Sequence, residues 1–168
     1  RDEDAVFFLG RHVGYPVALE GALKLKEIAY MHAEGFAAGE LKHGPIAVIE
    51  EGTPVFVVVP PKGRDQLHDK VTSNIQEVRA RGAFTIVLAE DDDEEVIPYA
   101  DFLFRLPKVS TLMQPLVATV PQTNVALLLA SHPELQSPPF TPAIPKLLQK
   151  KENLFNVLGK LDVLLMHP

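Results

Sequence analysis

Short runs of almost wholly apolar residues constrain the fold of this chain more than any other feature. They are Ala5–Leu9, Val55–Val59, Phe84–Ala89 and Phe102–Leu106. Such runs, closed by Gly, Pro or acidic turns, are typical of strands buried on both faces of a sheet. Helical periodicity appears between and after them, predicting helices over Val17–Met31, Asp65–Arg81 and Thr111–Ala130, with breaks or kinks at Pro115 and Pro121 in the last.

This alternation predicts an α/β fold, a three-layer αβα sandwich on a parallel sheet, because strands that are apolar throughout need helices on both faces. In such sheets ligands bind beyond the carboxyl ends of the strands. The turns after Leu9, Val59 and Ala89 are therefore the expected location of a site. The Gly- and Ala-rich segment His32–Pro45 is predicted to be a loop with a short helix.

The composition excludes several functional classes. The 168 residues include no Cys, which rules out disulfide frameworks, thiolate metal sites and cysteine nucleophiles. The net charge of −6, with no basic stripe, predicts no nucleic-acid partner. No apolar run approaches the roughly 18 residues of a membrane span and no signal-peptide pattern opens the sequence, so we expect no membrane partner. The chain begins with Arg1 rather than Met, which predicts a piece of a longer protein.

The character of the sequence changes near its carboxyl end. From Gln122 onward charged residues become scarce and prolines frequent. We therefore expect one domain over residues 1–130 and an atypical Pro/Leu-rich tail over residues 131–168. Within the tail, His132–Pro145 has the composition of an extended linker, and Lys146–Met166 is compatible with either short helices or irregular chain.

The first candidate for chemistry is a charged row on the first helix. Glu20, Lys24 and Glu27 are spaced four and three residues apart, which places them on one helix face. One interpretation is an ordinary surface row of ion pairs. The other is a carboxylate base, Glu27, that a neighbouring lysine keeps ionised and positioned for proton transfer.

The second candidate is His43, which lies in a turn bounded by Gly39 and by Gly44-Pro45. Histidine can donate or accept a proton near pH 7, but a capping or packing role is the structural alternative. The spacing of Glu40 and His43 resembles half of a metal site, and no second pair completes it, so we expect no metal.

The third candidate is the turn Gly10–Gly14 between the first strand and the first helix. Backbone N–H groups at a helix start can cradle a phosphate. The turn lacks the full dinucleotide-binding pattern, and Pro16 removes one N–H donor, which weakens this interpretation.

Two motifs make the sequence recognisable: ALEGALKLKEI over Ala18–Ile28 and AAGELKHGP over Ala37–Pro45. They resemble the second sugar-isomerase (SIS) domain of the glutamine–fructose-6-phosphate aminotransferase family, and the resemblance continues through Ser73–Gly82 to about Pro121. It implies a flavodoxin-like αβα sandwich, a cytoplasmic protein, and no metal or organic cofactor.

The resemblance also implies a reaction, the formation of glucosamine 6-phosphate from fructose 6-phosphate and glutamine. Glu27 matches the base that moves a proton between C1 and C2 of the sugar. His43 matches a histidine that acts in ring opening and reaches into the site of a neighbouring subunit. Lys24 matches a lysine one turn before the base, and Glu20 is implied to face the substrate. We expect a homodimer, with the Ala-rich face of the first helix offering close packing.

This sequence departs from the family in two ways. The glutaminase domain and the first SIS domain, which carries most of the phosphate-binding loops, precede this segment in the family. The family's closing motif, whose lysine forms a Schiff base with the sugar, has no match after Gln122, and Lys160 lacks its surroundings. We therefore expect the isolated chain to be inactive. The alternative function is a non-catalytic sugar-phosphate-binding or dimerisation module.

Overall fold

A computed structural model describes residues 5–63 and 65–131 of the chain. Its strands are β1 (Val6–Gly10), β2 (Ala33–Ala37), β3 (Pro54–Val58), β4 (Phe84–Glu90) and β5 (Phe102–Leu106). Its α-helices are α1 (Gly14–Ala29), α2 (Asp65–Arg79) and α3 (Gln114–Ala130), and 3-10 helices span Ala38–His43, Pro45–Val48 and Ile97–Tyr99. The predictions for His132–Pro145 and Lys146–Met166 lie outside the described residues.

The strands form one sheet in the order β2-β1-β3-β4-β5, and every neighbouring pair is parallel. This is the flavodoxin-like order, in which the direction of winding reverses between β1 and β3. The predicted α/β fold with a parallel sheet is confirmed.

Two hydrophobic cores separate the three layers. Alternate residues of a strand face opposite sides of the sheet, so Phe8 faces one core while Phe7 and Leu9 face the other. Phe8 stacks on Phe56 with ring centroids 4.5 Å apart, among the buried residues of α1 and α3. The opposite core holds the buried side chains of α2, including Ile75. Helices therefore cover both faces, as the apolar strands require.

The loop predicted for His32–Pro45 is wrong in part, because Ala33–Ala37 forms the edge strand β2. Its composition gives no strand signal, and Ala33 is its one fully buried residue. The strand is defined instead by parallel pairing with β1, which begins with Val6 opposite Ala33 and ends with Gly10 opposite Ala37. A Cβ on Gly35 would approach the α1 backbone at Leu19 to 3.0 Å, so the glycine lets the strand pass close beneath the helix.

The Ala-rich face of α1 is buried inside the chain. Ala18, Ala22 and Ala29 are each at most 2% exposed and belong to the core shared with α3. The expectation that this face packs against a second copy is therefore wrong, since the sheet and α3 already cover it. The helix also begins at Gly14, three residues before the predicted start at Val17.

Of the breaks or kinks predicted at Pro115 and Pro121, a break is wrong, because α3 runs continuously from Gln114 to Ala130. Pro115 lies in the first turn, where its missing N–H group has no helical partner to lose. Pro121 lies inside the helix, and the buried side chains of Ala118 and Val125 on either side of it anchor both halves in one core. Of the helices in the described ranges, none has both the length and the apolar character needed to cross a membrane.

Candidate functional site

Lys24 is the centre of the charged row on α1. Its Nζ lies 2.9 Å from Glu27 Oε2 and 3.2 Å from Glu20 Oε1. The side chain of Glu27 is 50% exposed, so its carboxylate is open to solvent while one oxygen accepts the lysine's hydrogen bond. The structure thus brings together the three residues that their spacing placed on one helix face.

The row is electrostatically coupled. The hydrogen bond from Lys24 to Glu27 raises the pKa of Lys24 above its ordinary value of 10.5, and the bond to Glu20 adds to this. A lysine that stays protonated keeps a positive charge beside the Glu27 carboxylate. The arrangement can therefore present an oriented carboxylate as a proton acceptor.

His43 ends the 3-10 helix Ala38–His43 that follows β2. Its Nδ1 lies 2.8 Å from Glu40 Oε2, and its side chain is 73% exposed. That exposure rules out the packing alternative. Ala38 and Leu41 of the same turn are buried, so the segment that carries His43 is anchored in the core on its other side.

Glu27 and His43 lie at opposite ends of the sheet. Glu27 belongs to the last turn of α1, which returns the chain to the start of β2 at Ala33. His43 follows the carboxyl end of β2 at Ala37. A five-residue strand spans roughly 17 Å, so these side chains of one chain do not share a site. Glu27 also lies away from the strands' carboxyl edge, where the sheet topology predicted the site.

Backbone N–H groups at the end of the Gly10–Gly14 turn donate hydrogen bonds to carbonyl groups of the same turn. The N–H of Gly14 donates to the carbonyl of Arg11, and the N–H of Tyr15 donates to that of His12. The Arg11 guanidinium donates through Nε to Asn74 Oδ1 at 3.2 Å. Two N–H groups at the start of α1 and the Nε of Arg11 are thus engaged within the protein, which does not favour the cradle interpretation.

Sequence reasoning missed a buried ionic cluster at the carboxyl edge of the sheet. His68 Nε2 lies 2.7 Å from Asp93 Oδ2, and both side chains are at most 5% exposed. Lys62 lies in the turn after β3, and its Nζ is 3.8 Å from Asp93 Oδ1. The backbone N–H of Lys62 donates a hydrogen bond to Oε2 of Glu90, which is buried. The sequence of Glu90–Glu95 indicates only an acidic turn that closes a strand, and its partner His68 lies 25 positions from Asp93.

The described residues contain no group of three or more His, Asp or Glu side chains arranged to hold a metal ion. Glu40 and His43 are the pair that resembled half a metal site, and they bond each other. Nothing in that geometry offers a cation a third protein ligand.

Comparison with known proteins now adds to this geometry. The model of the SIS domain family matches residues 1–132. A glutamine–fructose-6-phosphate aminotransferase (isomerizing) of Corynebacterium glutamicum is 73% identical over 121 residues, which cover 71% of this chain and 19% of the relative. The protein of the same name from Streptomyces coelicolor is 72% identical over 130 residues, covering 77% of this chain and 21% of that protein. The chain thus spans about a fifth of the length of these relatives.

Solved structures show the same similarity. The C-terminal domain of glucosamine-fructose-6-phosphate aminotransferase from Francisella tularensis matches with a TM-score of 0.68 and 39% identity, over 77% of this chain and 36% of that one. Tagatose-6-phosphate ketose/aldose isomerase from Escherichia coli has a TM-score of 0.65 at 19% identity, over 79% of this chain and 37% of that one. At that identity the second match supports the fold alone.

Proposed function

Because the chain belongs to the SIS domain family, we propose that it is the isomerase-domain portion of a glutamine–fructose-6-phosphate aminotransferase (isomerizing). The reaction makes glucosamine 6-phosphate from fructose 6-phosphate and glutamine, in the cytoplasm. The observation that carries the proposal is the close identity with the two bacterial relatives of that name. The domain is proposed to end near residue 130, and the tail over residues 131–168 to lie outside it.

Glu27 is the proposed catalytic base. Its carboxylate takes a proton from C1 of the imine formed between the sugar and ammonia, which gives an enolamine. The same group then returns the proton to C2 while the C1 hydroxyl loses its proton, which offsets the proton gained by the imine nitrogen and gives the aldose. A carboxylate suits this step because one group must both accept and donate the proton on one face of the substrate. The half-exposed position of Glu27 leaves it accessible to a substrate held by another domain.

Lys24 and Glu20 complete the proposed site. Lys24 is proposed to orient Glu27, because its Nζ donates a hydrogen bond to the carboxylate. Glu20 lies on the other side of Lys24 and is proposed to contact the hydroxyl groups of the sugar. Glu27 is half-exposed and Lys24 and Glu20 are partly exposed, so the remaining walls of the site are proposed to come from outside this domain.

We further propose a homodimer, argued from the positions of Glu27 and His43. Because one chain places them at opposite ends of its sheet, a site that uses both needs His43 from a second copy. Exposed apolar side chains lie on the neighbouring helices α1 and α3, and such a surface is typical of an interface. They are Tyr15, Leu19, Leu23, Leu116 and Val120.

The isolated chain is proposed to be inactive, because no residue in it matches the family's Schiff-base lysine. A chimera tests the proposal, because the rest of the relative supplies the Schiff-base lysine that this chain lacks. The 121 residues aligned with the Corynebacterium glutamicum relative replace the corresponding segment of that enzyme. The expected result is formation of glucosamine 6-phosphate from fructose 6-phosphate and glutamine, and its loss in the chimera carrying Glu27→Gln.

Glu34→Gln is the matched control, because Glu34 is an exposed carboxylate on β2 away from the charged row. It is expected to leave product formation unchanged. A folded chimera that makes no product, or one that Glu27→Gln does not impair, would contradict the proposal. The first result would favour the non-catalytic module instead.

A further inference from the structure

A chain of polar contacts connects α2 to the segment that carries His43. Lys42, the residue before His43, places its Nζ 2.9 Å from Glu77 Oε1. The side chain of Glu77 is 23% exposed and that of Lys42 is 65% exposed, so the carboxylate end of the pair is partly shielded from solvent. The contact ties the end of the 3-10 helix Ala38–His43 to the body of the domain.

Glu77 is itself held in place. Asn74 Nδ2 and Ser73 Oγ each donate to its carboxylate at 3.4 Å. Asn74 is 5% exposed, and its Oδ1 accepts the hydrogen bond from Arg11 Nε. The carboxylate that meets Lys42 is therefore restrained by two long hydrogen bonds from α2, and one of the donors, Asn74, is itself held by Arg11 on the turn after β1.

Arg11 also touches the start of the same segment. A Cβ on Gly39 would lie 3.2 Å from Arg11 Nη1, so the guanidinium packs directly on the backbone there. Leu41, between Gly39 and Lys42, is 1% exposed in the core that α2 shares. The His43 segment is thus restrained along its length, by Arg11 at one end, by Leu41 in the core and by Glu77 at the other end.

We propose that Glu77 and Asn74 are positioning residues that set the geometry of the His43 segment through Lys42 and Arg11. The catalytic part of this inference rests on the proposed function, in which His43 serves the site of a second copy. A group that must reach across to another chain needs a rigid base, because small misplacements of a reacting group reduce the rate substantially. The exposed His43 has its one described hydrogen bond to Glu40, which is itself exposed, so the rigidity comes from the residues on α2.

Amide hydrogen exchange of the 168-residue chain, followed by NMR, tests the positioning directly. Glu77→Gln and Asn74→Ala are expected to accelerate exchange at Leu41 and Gly44 by roughly two- to fivefold, the range for loss of a partly exposed ion pair. Exchange in the central strands, for example at Val57 and Val87, is expected to stay unchanged. The reversed pair, Lys42→Glu with Glu77→Lys, is expected to restore slow exchange.

Asp69→Asn is the matched control, because Asp69 is an exposed carboxylate on the same helix. Unchanged exchange at Leu41 and Gly44 in Glu77→Gln would overturn the proposal, and so would an equal increase throughout the sheet. The proposal would also be overturned if Lys42→Glu combined with Glu77→Lys did not restore slow exchange at Leu41 and Gly44. This arm needs no sugar and no activity, so it stands even where the proposed function fails.

The link to His43 has its own readout in the chimera described above. Glu77→Gln is expected to lower kcat roughly two- to fivefold with KM unchanged. It is expected to have no added effect once His43→Asn is present, because both changes then act on one group. Independent, multiplying effects of the two substitutions would overturn the link.

Discussion

The side chains of Lys24 and Glu27 meet one turn apart on α1, with Nζ and Oε2 separated by 2.9 Å. The Glu27→Gln variant is expected to lower the pKa of Lys24 toward 10.5, because that hydrogen bond is the first cause of its raised pKa. NMR titration of the Lys24 side chain measures this. Glu34→Gln is the control, and a pKa of Lys24 that is the same in Glu27→Gln and the parent chain would contradict the expectation.

The same raised pKa predicts a pH dependence of stability. The contribution of Lys24 is fully present below pH 10.5 and is lost as the pH rises through its raised folded-state pKa. Urea unfolding at several pH values between about 9 and 12 should therefore show less alkaline loss of stability in Lys24→Met than in the parent chain. Equal slopes for the two proteins would argue against this linkage.

Two carboxylates, those of Asp93 and Glu95, face the imidazole of His68. We expect their removal to lower the free energy of unfolding by very different amounts. Asp93 lies 2.7 Å from Nε2 and is buried, whereas the 65% exposed Glu95 lies 3.8 Å from Nδ1. Asp93→Ala is expected to lower the free energy of unfolding by about 3 kcal/mol, since it leaves a buried partner unsatisfied. Glu95→Ala should cost less than about 1 kcal/mol. Urea denaturation of both variants measures the contrast, and similar costs would refute it.

Gln122 predicts a stabilising substitution. The residue is 1% exposed, and within the described part of the chain neither polar atom of its amide has a hydrogen-bond partner. Gln122→Met keeps the length of the side chain and removes the unsatisfied groups, so we expect the free energy of unfolding to rise by about 1–2 kcal/mol. Gln76→Met, at an exposed position of α2, is the control with little expected change. A loss of stability in Gln122→Met would show that the amide is satisfied.

We expect alanine to destabilise the turn after β1 more at Gly10 than at Gly14. A Cβ on Gly10 would lie 2.0 Å from the Gly14 carbonyl oxygen, a backbone atom that cannot move without displacing α1. A Cβ on Gly14 would meet Val58 at 3.2 Å, a contact that small shifts relieve. We expect Gly10→Ala to cost about 2–3 kcal/mol more than Gly14→Ala in thermal or urea unfolding. Equal costs would mean that the turn adapts freely.

Sequence predicted most of the sheet because its signal is local. Four strands are apolar at nearly every position, and in β1, β3 and β4 that pattern follows from burial on both faces. β2 escaped prediction because Glu34 and Gly35 carry no strand signal, and its pairing with β1 is a non-local property. The continuity of α3 through Pro121 likewise depends on packing against the sheet rather than on propensity.

The sequence predicted which side chains of the candidate site carry reactive groups, but it did not predict where those side chains lie relative to one another. Helical spacing placed Lys24 between two carboxylates, and the structure has them there. Spacing could not reveal that His43 lies at the other end of the sheet, because that requires knowing that β2 intervenes. The bond between His68 and Asp93 joins residues 25 positions apart, which no local pattern encodes.

The distance between Glu27 and His43 has a genetic consequence. In the proposed dimer, each reaction centre would combine the imidazole of the sister polypeptide with the carboxylate of its own chain. Two defective alleles, one lacking the acid and the other lacking the imidazole, would then complement each other, because a mixed pair contains one centre with both groups intact.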